Sequence, residues 1–153
     1  MSVKLEHRLG IQAPVHTVWE ILADLPSWHE WNPLYTEAKG VIGFGELLTL
    51  TLVLPKSAPR VIQPRIVDWT PNEAIHWNLK AMGGLVSTIR YLELEKLHDE
   101  GCIFSNGELF QGLLGPSVAR RIKWPVREGF AAMGEALRDR AEARWREAVG
   151  KPT

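Results

Sequence analysis

At 153 residues, 45% of them hydrophobic, the chain is long enough to bury a sizeable core and fits one domain spanning 1–153, with no repeat or linker. Eighteen Lys and Arg balance eighteen Asp and Glu, so no global field favours nucleic acid or an anionic membrane as a partner. The lone Cys102 excludes an internal disulfide, no Cys or His spacing fits a metal site, and no apolar run approaches the roughly 20 residues of a membrane span. These features lead to the expectation of a cytoplasmic protein without metal, cofactor or integral membrane segment, of open oligomeric state.

Val3, Leu5, His7, Leu9 and Ile11 alternate with Lys4, Glu6 and Arg8, a period of two that predicts a half-buried first strand. Pro14 ends it and opens a helix whose apolar positions Val15, Val18, Trp19 and Leu22 recur at helical spacing until Leu25-Pro26 breaks the run. Residues 26 to 33 predict a second short helical turn carrying Trp28 and Trp31, closed by Pro33.

From Tyr35 onward the breaks at Gly43-Phe44-Gly45, Pro55 to Pro59, Pro71-Asn72, Gly83-Gly84 and Asp99-Glu100-Gly101 divide the chain into six further strands, seven in all. Leu48, Leu50, Leu52 and Leu54 share one face, as do Ile75, Trp77 and Leu79, with His76 on the solvent side. After Pro116, Val126, Phe130, Met133, Leu137, Ala141 and Trp145 form an apolar stripe on a long terminal helix, in which Pro125 predicts a kink or a restart. Strands followed by a long helix give an α+β domain with the helix on the concave face of an antiparallel sheet.

Arg90 has the parity of Leu92 and Leu94 and therefore faces inward, whereas Glu93 and Glu95 face out. A hairpin turning near His98 to Glu100 sets Arg90 opposite Glu108, about 5 Å away at Cβ and within reach of an ion pair. Such a pair anchors a polar ligand group, or simply satisfies itself, since a buried unpaired charge is costly. Trp28, Trp31 and Trp77 are candidates for an aromatic cavity wall, against the alternative of ordinary core packing. Phe130, Met133 and Leu137 would supply the wall contributed by the helix, with Gly134 leaving space beside them. Arg120, Arg121 and Lys123 before Pro125 offer contact to an anionic surface, but three basic residues on a helix read as a solvated face, and the sequence alone supports no membrane function for them.

The stretches Ala13-Pro14-Val15-His16-Thr17-Val18-Trp19 and Trp28-His29-Glu30-Trp31-Asn32-Pro33, with Glu108-Leu109-Phe110-Gln111-Gly112 before the terminal helix, resemble the polyketide-cyclase-like branch of the START/Bet v 1-like (SRPBCC) superfamily. The resemblance implies a helix-grip fold: a curved seven-stranded antiparallel sheet wrapped around the C-terminal helix, with two short helices after the first strand. It further implies that the first strand lies beside the last, bringing His7 and Phe110 to the same cavity as Arg90 and Glu108. In that branch a histidine often stands where this chain has Arg90. Arginine holds its charge and its fixed donors at any working pH, which favours anchoring over proton transfer.

Three functions follow from the resemblance. The first is binding or transport of a small hydrophobic, lipid- or polyketide-like molecule without catalysis. The second is a cyclase or dehydratase acting on a polyketide-like carbonyl compound through His7, Arg90 and Glu108. The third is a co-chaperone-like interaction module with an exposed apolar patch.

Overall fold

The computed structural model describes residues 2–150; Met1 and residues 151–153, which the single-domain expectation includes, lie outside the described residues. Strand β1 (Val3–Ile11) leads into helix α1 (Val15–Ala23) and a 3₁₀ turn (Leu25–Glu30). Pro14 stands at the N-cap of α1, and Pro26 opens the 3₁₀ turn, where its missing N–H costs no hydrogen bond. Strands β2 (Tyr35–Lys39), β3 (Thr49–Leu52), β4 (Arg60–Ile62), β5 (Arg65–Thr70), β6 (Ala74–Ala81), β7 (Val86–His98) and β8 (Gly101–Gln111) follow, and helix α2 (Gly115–Ala148) ends the fold. This is an α+β helix-grip architecture.

Eight strands in two antiparallel sheets replace the expected seven in one. The larger sheet runs β1-β8-β7-β6-β5 and the smaller β2-β3-β4. Pro64 is the cause: it divides the segment between Pro59 and Pro71, because proline cannot donate to a ladder. The sheets remain stitched together by the Leu47–Arg65 bridge and by hydrogen bonds from Gly45 N–H to the Ile66 carbonyl, Ile66 N–H to Glu46, and Leu48 N–H to Pro64.

β1 pairs with β8, and the β7–β8 register places Arg90 opposite Glu108, Leu92 opposite Asn106 and Leu94 opposite Phe104. Cross-strand rows therefore run over the inner face. One is Leu5–Glu108–Arg90–Trp77; the next, two residues farther from the strand ends that meet α2, is His7–Asn106–Leu92–Ile75.

α2 is one uninterrupted helix, with Pro125 inside it rather than at a restart. What Pro125 removes is the N–H that would bond the Arg121 carbonyl. Downstream of it, Phe130, Met133, Gly134, Leu137 and Ala141 are buried against the sheet and α1. Asn106, fully buried, donates from Nδ2 to the Phe130 carbonyl at 3.2 Å and ties helix to sheet. Gly134 does not open space for a cavity: a Cβ there would meet Leu9 and His7, so the glycine serves close approach of β1 to α2.

Candidate functional site

A cavity of about 400 Å³ lies between the two sheets and the first half of α2, a size and apolar character suited to a small molecule. The large sheet contributes Trp77, Leu79, Thr88, Glu108 and Phe110, the small sheet Leu52 and Ile62, and the helix Val118, Ile122, Val126 and Phe130. The helical residues recur every four positions, a single face pointed at the cavity. Arg60 and Met82 stand at its exposed rim.

Its polar end is made by Tyr35, Thr88 and Glu108, with Arg90 directly behind them. Tyr35 is positioned by its own upstream loop: the Asn32 side-chain oxygen accepts the N–H groups of Leu34 and Tyr35, each at 2.9 Å, turning the chain into β2. Trp28, fully buried and donating its Nε1–H to the Leu22 carbonyl at 3.1 Å, packs on Trp31 and on Tyr35, and Tyr35 packs edge-on against Trp77. An aromatic chain thus runs from the 3₁₀ turn to the cavity wall.

Arg90 is 2% exposed. Its Nε donates to the Tyr35 hydroxyl at 2.9 Å, and Nη1 donates to the carbonyls of Gly107 at 2.9 Å and Tyr91 at 3.2 Å. The guanidinium lies over the Phe130 ring at 4.0 Å, with Tyr35 and Trp77 at 5.6 and 5.8 Å. The expected direct ion pair with Glu108 is not formed. The fixed fork of the guanidinium is turned to backbone carbonyls and aromatic faces, and acts on Glu108 only through space.

Burial raises the Glu108 carboxyl above its ordinary range, and the nearby Arg90 charge and Thr88 hydroxyl offset only part of that shift. The Tyr35 hydroxyl is likewise raised by burial, against the pull of Arg90. Because Arg90 supplies a donor to the Tyr35 oxygen, the Tyr35 proton is left to point elsewhere. The cavity therefore presents a phenol donor and a reluctantly ionised carboxyl backed by a fixed cation. That set can receive a carbonyl or hydroxyl at the inner end of an otherwise apolar molecule.

Of the residues singled out from sequence, Trp77, Glu108, Phe110 and Phe130 line this cavity, and Arg90 supports it from behind. His7 lies in the next row, beside Asn106 and beneath Gly134, with its buried Nδ1 unpartnered. Met133 and Leu137 are fully buried one and two turns beyond the cavity wall, and Trp28 and Trp31 stand behind Tyr35. Sequence reasoning missed Tyr35, Thr88 and the Val118–Ile122–Val126 face. Thr88 shares the parity of Arg90, and the spacing of four on α2 was there to be read. For Tyr35 no periodic signal exists. Among the described residues no cluster of His, Cys, Asp and Glu could hold a metal ion.

Comparison with known proteins agrees with this architecture. The aromatase/cyclase ZhuI from Streptomyces sp. R1128 superposes with a TM-score of 0.78 at 21% identity, covering 99% of this chain and 100% of that one. Norcoclaurine synthase from Thalictrum flavum gives 0.70 at 13% identity over 94% and 96% of the two chains. A START superfamily protein from Mycobacterium smegmatis gives 0.72 at 16% identity over 92% and 98%. At these identities the likeness establishes the fold alone. No curated protein matches the sequence. The family profile described as polyketide cyclase / dehydrase and lipid transport matches residues 2–142. The chain belongs to that family and has the SRPBCC fold.

Proposed function

We propose that the protein binds a small hydrophobic molecule in the cavity between the sheets and α2, with a single oxygenated end directed to Tyr35, Thr88 and Glu108. The observation that carries this is the composition of the wall: a largely apolar lining whose polar groups are gathered at the inner end, apart from Arg60 at the exposed rim. Trp77, Phe110 and Phe130 would contact the ligand body, and Arg90 would hold Tyr35 and the charge balance of the polar end.

One observation favours a second reading, an enzyme of the cyclase or dehydratase type. The carboxyl of Glu108, raised by burial above its ordinary range, sits on the cavity wall with the Tyr35 phenol, the kind of group that can serve as a general acid or base. His7 lies in the neighbouring row, outside the residues that line the cavity.

The test is native mass spectrometry of delipidated protein after exposure to a cell extract, with Ile122→Trp as the variant that fills the cavity. Binding predicts an apolar compound retained by the wild type and lost from the variant. Retention by both proteins places the molecule elsewhere and overturns the assignment. A compound returned chemically altered by the wild type, and unaltered by Glu108→Gln, selects the enzyme.

A further inference from the structure

The cavity rim carries a charge pattern that the neutral total conceals. None of the eighteen acidic residues falls within 47–67, 74–92 or 109–127, the three segments that supply most of the cavity wall and its mouth. Those segments hold Arg60 at the rim, Lys80 at the end of β6, and Arg120, Arg121 and Lys123 in the first turns of α2. Arg60, Lys80, Arg120 and Arg121 are exposed, and no ion pair engages them among the described residues.

The same end projects apolar side chains into solvent. Met82 is 59% exposed, Leu85 43% and Leu113 83%. They sit on two adjoining turns, the 3₁₀ turn Met82–Gly84 and the β8–α2 turn, tied by the hydrogen bond from Leu114 N–H to the Leu85 carbonyl at 3.0 Å. Met82 holds a left-handed backbone, φ 54°, a conformation that a non-glycine residue rarely adopts. Trp124, also exposed, shares the Arg120 face of α2, with the Lys123 ammonium 5.3 Å from its ring centre.

We propose that this rim docks on an anionic lipid bilayer, with Met82, Leu85 and Leu113 inserted below the headgroups and Arg60, Lys80, Arg120 and Arg121 against lipid phosphates. Protruding apolar tips surrounded by cations match the layered chemistry of a membrane interface, where hydrocarbon lies beneath a negatively charged surface. The cavity mouth would then open toward the bilayer. The β7–β8 hairpin at the far end carries Glu93, Glu95, Asp99 and Glu100 against Lys96, and the last turns of α2 balance Glu135, Asp139, Glu142 and Glu147 with Arg138, Arg140, Arg144 and Arg146. The excess of positive charge therefore lies at the rim and orients it toward an anionic surface.

Co-sedimentation of the full chain with phosphatidylcholine vesicles, with and without phosphatidylserine, tests this without reference to what the cavity holds. Partition should be about tenfold or more stronger onto the anionic vesicles and fall with salt, as headgroup attraction by several cations requires. Arg120→Glu with Arg121→Glu should abolish the preference, and Leu113→Asp should weaken partition without changing the melting temperature. Lys96→Glu with Arg144→Glu, an equal charge change at exposed sites of the far end, should leave it within about twofold. Absence of binding, equal binding to neutral vesicles, or equal loss in the far-end variant overturns the proposal. So does self-association, or capture of an acidic protein, that Leu113→Asp removes while no vesicle binding is seen.

Discussion

The Arg90 guanidinium lies 4.0 Å from the centre of the Phe130 ring, joining the middle strand of the large sheet to the middle of the terminal helix through a cation and an aromatic face. No carboxylate closes on that cation. Two backbone carbonyls, a phenol oxygen and three aromatic rings surround it, and Glu108 stands across the row, its ionised form favoured by the Arg90 charge and opposed by burial.

Removing the cation should therefore cost as much as breaking a buried pair. Arg90→Ala is expected to lower stability by about 3–5 kcal/mol in denaturant titration, since it strands Glu108 and opens a void beneath Phe130. Adding Glu108→Gln should recover part of the loss, because the stranded charge is then gone, giving a coupling of about 0.5–3 kcal/mol. Strict additivity of the two losses would show that the residues do not sense each other.

Glu108 sets a pH dependence whose sign follows from its raised carboxyl. The fold favours the protonated form, so the contribution of this group is full below the ordinary value of 4.5 and is lost as pH rises through the higher folded value. Glu108→Gln should melt above the wild type at pH 8, and the two melting curves should converge as pH falls toward 4. A variant that is less stable at pH 8 would mean that Arg90 attraction outweighs burial.

Gly112 occupies the left-handed region at φ 88°, and a Cβ there would stand 2.5 Å from the Leu85 carbonyl oxygen. Gly112→Ala should cost about 1–3 kcal/mol through combined strain and backbone clash. Gly45, at φ 80° with open space around it, provides the comparison: Gly45→Ala should cost less, about 1 kcal/mol. Equal losses in thermal melts would mean that the Leu85 carbonyl yields freely.

Cys102 is buried, its Sγ 3.7 Å from the Ala13 carbonyl, and burial pushes the thiol up to about 11 from 9.0. Alkylation at pH 8 should run about a hundredfold slower than for a free thiol, and should reach the free rate in denaturant. Fast labelling of the native protein would indicate frequent opening between β8 and the β1–α1 connection.

The pairing of Arg90 with Glu108 was legible because strand parity and the turn near residues 98 to 101 together fix a register. Depth along the strands was not. His7 and Glu108 have the same inward parity on neighbouring strands, yet the row of His7 lies under Gly134 while that of Glu108 faces the cavity. The helix posed the same problem. Phe130, Met133 and Leu137 share a stripe, and the stripe crosses from cavity wall to packed core between Phe130 and Met133 because β1 reaches α2 there. Pro64 carried a signal for dividing β4 from β5 that strand counting overlooked. Tyr35 depends on a turn made by the Asn32 side chain, a local hydrogen-bond pattern with no periodicity to reveal it.

The Asn106 bond to the Phe130 carbonyl marks a boundary within α2. Beyond it the helix is fastened by close contacts that tolerate little change. Before it, Val118, Ile122 and Val126 line the cavity from the edge of the core, and Pro125 has already freed the Arg121 carbonyl from the helical ladder. Evolution can therefore vary these three positions, and with them the shape of the guest, while the fastening of the helix stays untouched. Selectivity and foldability are inherited through different halves of one element.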